Sequence, residues 1–340
     1  MSVKLISAPI GLATLLAAMA APAAVGQEPS SETASVEQAF QMKRCVNMGN
    51  ALETPNGVSW GGLYGPEDYQ RIAAAGFDTV RIPIRWSAYT GPAPEYRIHP
   101  DFMKLAKANV QAALDADLNV IMNIHHFEEI MDKPEEQMPR YIALWKELSA
   151  AFADAPDNVW FETLNEPNKN LKGKLMRQTQ TAALAIIRSK NPERIVIFGG
   201  EDWSGIRSLG SNAATDDPNV VYTYHYYDPF NFTHQQATWL GDDMPKGKRG
   251  WGSSEDRQQL AADVATAVAF RDAVKRPVFV GEFGVNDPVD AGERVKFNDA
   301  VAEALEGADI PWCLWAYGNT FRLYTDEKGW DEPMLRALTD

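Results

Sequence analysis

Residues 159–168 read VWFETLNEPN, an apolar run that stops abruptly at Asn165, Glu166 and Pro167. β-Branched and aromatic residues favour a buried strand, whereas Pro167 has no N–H for a ladder and biases Glu166 away from helix. Glu166 is therefore placed at the C-terminal tip of a strand. Residues 276–285, RPVFVGEFGV, repeat the arrangement, with Glu282 following an apolar run between Gly281 and Gly284. Two acids at two strand ends, far apart in sequence, imply one shared cleft.

Outward from these two stretches, short apolar strand patterns alternate with longer helical ones. MKRCVNMG leads to PEDYQRIAAAG, FDTVRIPI to DFMKLAKANVQAALDA, and LNVIMNI to RYIALWKELSAAFA. RIVIFGG, VVYTYHY and PWCLWAY supply further strands, and a weak final helix is expected around residues 332–338. This amounts to eight strand-helix units. Parallel strands need crossover helices and a closed barrel leaves no edge, so the pattern predicts a single α/β catalytic domain, a (β/α)8 TIM barrel over residues 41–340. No GxGxxG follows a strand, which disfavours a dinucleotide-binding fold.

The opening residues 1–26 have Lys4, an apolar centre and small residues near the end, the layout of a signal peptide. Secretion or export to the periplasm is the expectation. Residues 27–40 are polar and small and are expected to form a flexible linker. No later segment is long enough to span a bilayer. With 340 residues, 45% of them hydrophobic, the chain can bury a large core, and a monomer is expected. A net charge of −14 disfavours nucleic acid, whose binders cluster Lys and Arg, and points to a neutral partner. Cys45 and Cys313 fall in the first and last strand patterns, where a bridge between neighbouring strands and two buried thiols are both open readings.

Glu166 and Glu282, on the fourth and seventh strands, converge at the barrel mouth. Two carboxyls about 5 to 5.5 Å apart are what retaining glycoside hydrolysis uses. Glu162 points to the same face as Glu166 but about 13 Å deeper, which suits pairing with an interior arginine. Arg44, Arg81 and Arg85 are candidates for such interior or rim charges, and Arg81 is placed to bond a carboxylate at the mouth. His125 and His126 follow the third strand; with no HExxH and opposite facing expected of adjacent residues, hydrogen bonding outranks metal binding. His225 and Tyr227 share a face at the end of the sixth strand, and the tyrosine hydroxyl is placed to hold Glu282 ionised. Among ten tryptophans, Trp86, Trp203, Trp239, Trp251 and Trp315 lie near strand ends or in loops. Flat indole faces suit the C–H faces of sugar rings, and Trp315 is the preferred platform.

NEP with Glu166, GEFG with Glu282, VRIPIRW, NIHH and HYYDPF together resemble glycoside hydrolase family 5, in the family's order from about Gln41 to the end. GNALE, HHFEE and FNFTHQ look like a branch of bacterial endoglucanases of which some members also cut mannan. The resemblance implies a retaining barrel enzyme with no cofactor and no metal, with Glu166 as acid/base and Glu282 as nucleophile. It assigns Arg81, His125, Asn165, His225, Tyr227 and Trp315 to the family shell. It places Asn50, Glu53, His126, His234 and Trp239 along the sugar subsites. One departure stands out: relatives carry an acid directly after the eighth-strand tryptophan, where this chain has Ala316. The implied activity is an endo-β-1,4-glucanase acting on a polysaccharide or oligosaccharide such as β-glucan or xyloglucan. A β-1,4-mannanase or dual enzyme is the nearest alternative, and a non-catalytic carbohydrate-binding barrel is a third. A barrel aldolase would need a lysine at a strand end, and none of the eight offers one.

Overall fold

In the computed structural model, residues 36–61 and 63–340 are described; the expected signal peptide and most of the expected linker lie outside them. Eight parallel strands close a barrel in sequence order: β1 (Arg44–Asn47), β2 (Thr79–Ile82), β3 (Asn119–Asn123), β4 (Val159–Glu162), β5 (Val196–Gly199), β6 (Val220–Tyr226), β7 (Val278–Phe283) and β8 (Trp312–Leu314). The crossover helices are α1 (Pro66–Ala74), α2 (Pro100–Leu114), α3 (Pro134–Ala151), α4 (Gly173–Arg188), α5 (Ser254–Val274) and α6 (Ala291–Glu306), with α7 (Glu332–Thr339) at the end. After β5 the chain makes only a four-residue helical turn, Glu201–Ser204, and a 3-10 segment, Ile206–Ser211. No helix among the described residues is long and apolar enough to cross a membrane.

The helix starts follow from local chemistry. Pro66 opens α1, whose missing N–H costs nothing in the first turn, and the Asp68 carboxylate accepts from the Gly65 N–H at 2.8 Å. At α5 the Ser253 hydroxyl accepts from the Asp256 N–H while Asp256 accepts from the Ser253 N–H, both at 3.1 Å.

Period-two alternation sorts the strand residues into layers. Val46, Val80, Val120, Met122 and Phe161 face outward into the helix-packed core. Inward-facing residues form an apolar lower layer of Cys45, Ile121, Trp160, Ile197, Val221, Phe279 and Cys313. Two residues further along the strands, Asn47, Arg81, Asn123, Glu162 and Thr223 make a buried polar layer. Cys45 and Cys313 are paired across β1 and β8 and form a disulfide, so the bridged reading holds.

The linker expectation needs correction at its end. Residues 36–39 form a helical turn, and Val36 and Phe40 join the lower apolar layer, with the Phe40 ring 4.5 Å from Trp160 and 5.4 Å from Phe279. Two apolar side chains in a polar stretch suffice to anchor it at the barrel's lower end, because the layer there would otherwise meet water. Arg44 is also not interior: it is half-buried on the outside and pairs with Glu306 at 2.8 Å. Arg85 is half-buried in the turn after β2.

Candidate active site

The strand register builds the site. Pairing between β6 and β7 shifts at Tyr224/His225, and pairing between β7 and β8 shifts between Val280 and Phe283. These irregularities bracket Gly281 and Glu282 and set His225 opposite Glu282. Gly281 leaves the room that this needs, since a Cβ there would lie 2.6 Å from the Thr223 hydroxyl and 3.0 Å from Nε2 of His225. Glu166 sits past the end of β4 with φ 48°, a left-handed conformation that turns its side chain into the mouth.

His225 Nδ1 lies 2.8 Å from Oε1 of Glu166 and 3.6 Å from Oε2 of Glu282. One oxygen of each glutamate and a ring nitrogen of His225 lie within 4.8 Å of one another. Glu282 also accepts from the Tyr227 hydroxyl at 2.9 Å and from Nη1 of Arg81 at 2.7 Å. Arg81, fully buried, donates to both oxygens of Glu162 at 2.6 and 2.7 Å, to Asn47 at 2.8 Å and to Asn165 at 2.6 Å. Glu162 is thus the interior partner of an arginine. Its carboxyl is held below the usual range by that guanidinium, which outweighs the opposing effect of burial.

Burial pushes Glu166 up to about 8, although the nearby Arg81 charge opposes it. Burial also raises Glu282, against the pull of His225 and Arg81. The two are not equivalent, because the guanidinium and the phenol both bond Glu282, which favours its charged form over that of Glu166. Burial lowers His225 and holds it neutral. Among the described residues, Glu166, His225 and Glu282 are the group close enough to share a metal ion. The Arg81 guanidinium on Glu282 and the His225 contact to Glu166 already occupy that donor set, and a fixed positive charge opposes a cation there.

A cleft of about 480 Å³ opens over the glutamates. Trp60, His126, His125 and Trp315 form one wall, and Tyr227, His234, Trp239 and Phe321 the other, with Asn50, Asn319 and Thr320 completing it. His125 stacks on Trp315 with ring centroids 5.7 Å apart and planes 6° from parallel. The peptide bond from Trp315 to Ala316 is cis. His125 and His126 do not face opposite ways as expected: β3 ends at Asn123, and φ 47° at His126 turns the chain so that both imidazoles reach the cleft. Burial lowers both, His126 to about 4. It also lowers His234 to about 4.

Several expected substrate contacts lie beneath the walls instead. Arg81 has no exposed surface and acts through Glu282 and Asn165. Glu53 is also fully buried, and its carboxylate accepts from the backbone N–H groups of Asn50 and Ala51, which fixes the loop that presents Asn50. Burial pushes it up to about 7. Asn165 and His225 are nearly covered. Trp86 and Trp251 are core: the first donates to the Asn123 carbonyl at 3.0 Å, and the second packs on Phe297. Trp203 is 56% exposed beside the motif, its N–H bonded to the Pro167 carbonyl at 3.2 Å, outside the cleft wall. Sequence reasoning missed Trp60, Asn319, Thr320 and Phe321. Trp60 had one available signal, a tryptophan between Ser59 and two glycines in a stretch with no apolar period to bury it.

Residues 38–321 match the model of the cellulase family, glycosyl hydrolase family 5. The chain is 31% identical to Endoglucanase H of Acetivibrio thermocellus over 91% of its own length and only 34% of that longer protein. It is 25% identical to Endoglucanase C of the same organism, covering 81% of this chain and 89% of that one. Among solved structures, Thermotoga maritima Cel5A in complex with cellobiose is similar at 36% identity and a TM-score of 0.85, covering 89% of this chain and 99% of that one. The same enzyme in complex with mannotriose is similar to the same degree. The match over most of the barrel, carried on a closed eight-stranded scaffold, establishes that this chain belongs to glycoside hydrolase family 5, the cellulase family.

Proposed function

We propose that the protein is an endo-acting β-1,4-glucanase that cleaves with retention of anomeric configuration. The observation that carries this is the spacing of Glu166 and Glu282, whose nearest oxygens lie within 4.8 Å, in keeping with the ~5 to 5.5 Å between carboxyls of retaining enzymes. In the first step Glu282 forms a bond to C1 of a sugar as the C1–O bond to the next unit breaks, and the proton of Glu166 goes to the departing oxygen. In the second, Glu166 takes a proton from water, whose oxygen bonds C1 and releases Glu282. Arg81 and Tyr227 hold Glu282 ionised and aimed. The open, aromatic-walled cleft supports binding within a chain rather than at its end.

A second reading, hydrolysis of β-1,4-mannan, is favoured by the likeness to an enzyme seen with both cellobiose and mannotriose. The lead of residues 1–26 supports export, and we propose that the enzyme acts outside the cytoplasm as a monomer. The test is product analysis on carboxymethyl-cellulose, barley β-glucan, xyloglucan and mannan, with the first-formed anomer read by NMR. Release of the inverted anomer, or no release of reducing ends from any of the four, would reject the reading.

A further inference from the structure

Glu166, the proposed acid/base, sits on a short segment whose main chain is held from several sides. At φ 48° its backbone is left-handed, a region that a glutamate occupies only where surrounding bonds require it. Before it, the Asn165 N–H donates to the Ile124 carbonyl at 2.9 Å, which ties the segment to the end of β3. After it, the Trp203 N–H donates to the Pro167 carbonyl at 3.2 Å, from a turn in which Asp202, Trp203 and Ser204 have φ 52°, 56° and 55°. Successive left-handed residues with side chains are costly, and what this turn presents to the motif is that N–H. The Gly173 N–H bonds the Glu201 carboxylate at 2.5 Å, a second tie between the two loops. Asn168, 7% exposed, lies within this frame: its side-chain amide donates to the Glu166 carbonyl at 2.8 Å, and its Oδ1 meets no partner among the described residues. Burying a polar side chain for a single bond is less favourable than burying an apolar one of the same size, so the bond to Glu166 is where its contribution lies.

We propose that Asn168 is a positioning residue for the acid/base: its amide pins the Glu166 carbonyl and so holds the left-handed turn that aims the carboxyl at the glycosidic oxygen, with the Asp202–Ser204 turn as the opposing brace. This rests on the role given to Glu166 above and names what fixes its aim. Without the amide, the Glu166 backbone is free to relax to negative φ, which swings the side chain off the departing oxygen and leaves the aromatic walls, Glu282 and its partners in place. Proton transfer depends steeply on that alignment, whereas sugar binding on the walls and attack by Glu282 do not.

The test compares Asn168→Ala and Asn168→Asp with wild type in the full chain, on cellohexaose and on dinitrophenyl β-cellobioside, whose phenol leaves without a proton, or on their mannose counterparts if the wild type cleaves only mannan. Both variants are expected to lose about ten- to a hundredfold in kcat/KM on the hexasaccharide and at most about twofold on the aryl glycoside. Asn168→Asp keeps the volume and lacks the donor, so it separates this bond from the filling of space. An asparagine that serves only the fold would move the melting temperature and both substrates together. Equal losses on the two substrates, wild-type activity of Asn168→Asp on the hexasaccharide, or failure of both variants to fold would each overturn the proposal. Glu166→Gln, run alongside, keeps the two readings apart. If it splits the substrates and the Asn168 variants do not, only the positioning role falls; no split in Glu166→Gln, or no cleavage of either hexasaccharide by wild type, removes the role of Glu166 and the proposal with it.

Discussion

Nη1 of Arg81 donates to Oε1 of Glu282 at 2.7 Å, with the guanidinium shut off from water and the carboxylate reaching the cleft, so the charge of the proposed nucleophile is balanced from below the cleft. The same guanidinium serves Glu162, Asn47 and Asn165. A lysine ammonium has one point charge and no planar fork, and it cannot satisfy four partners in that geometry. Arg81→Lys is expected to lower stability by about 3 kcal/mol or more, the usual effect of leaving a buried acid unpaired, and to reduce kcat. Thermal denaturation and steady-state kinetics check both; an unchanged melting temperature would show that the network does not bear on stability.

Glu166→Gln keeps the shape of the proposed acid and removes its proton. On glucan the rate is expected to fall by about 10²- to 10⁴-fold, the range for loss of a general acid–base group. On an aryl glycoside whose leaving phenol needs no protonation, the first step should be much less affected. Parallel losses on the two substrates would remove Glu166 from this role.

Glu282→Ala should abolish turnover and leave the fold intact, because Arg81 retains Glu162 as its buried counter-charge. Circular dichroism and thermal denaturation report the fold, and reducing-sugar release reports turnover. A well-folded variant with substantial activity would place the nucleophile elsewhere.

The raised Glu166 carboxyl has consequences for pH. As the acid, it loses its proton as pH rises through about 8, so kcat/KM should fall on that alkaline side. Stability follows with a definite sign. Between the ordinary 4.5 of the unfolded chain and about 8, the folded form binds a proton that the unfolded form does not, and rising pH therefore erodes stability across this window. Glu166→Gln lacks that dependence. Its stability relative to wild type should climb from about pH 4.5 to about pH 8 and then level off, as denaturant melts at a series of pH values would record; a constant difference would refute the raised value.

Trp315→Ala removes the ring stacked on His125 in the cleft wall. KM for glucans is expected to rise roughly tenfold, equivalent to about 1.4 kcal/mol, with kcat lowered less. Unchanged kinetics on long glucans would count against its service as a platform.

The barrel was legible from its alternation because parallel strands buried on both faces and their crossover helices leave strong periods in the sequence. Glu166 and Glu282 were legible for a related reason: each breaks an apolar run just where a proline or glycines end the strand. What escaped reading depended on depth rather than on residue type. The bond from Arg81 to a carboxylate at the mouth was legible, but its full burial was not, and Glu53, placed along the sugar subsites by resemblance alone, lies buried under the loop that it fixes. Phe321 carries no periodic signal, because it packs on Tyr227, His234 and Trp239 from a loop after β8. Val36 and Phe40 were hidden by polar neighbours that stay outside.

Val36 and Phe40 share one apolar cluster with the Cys45–Cys313 bridge, and neither sulfur-bearing residue has any accessible surface. A thiol reagent therefore meets the cross-link only in molecules whose base has come open. Susceptibility to reductant becomes a clock for that opening, independent of events at the opposite rim where sugars bind. Shortening the amino end beyond Phe40 would unstopper the cylinder and hand the bridge to solvent.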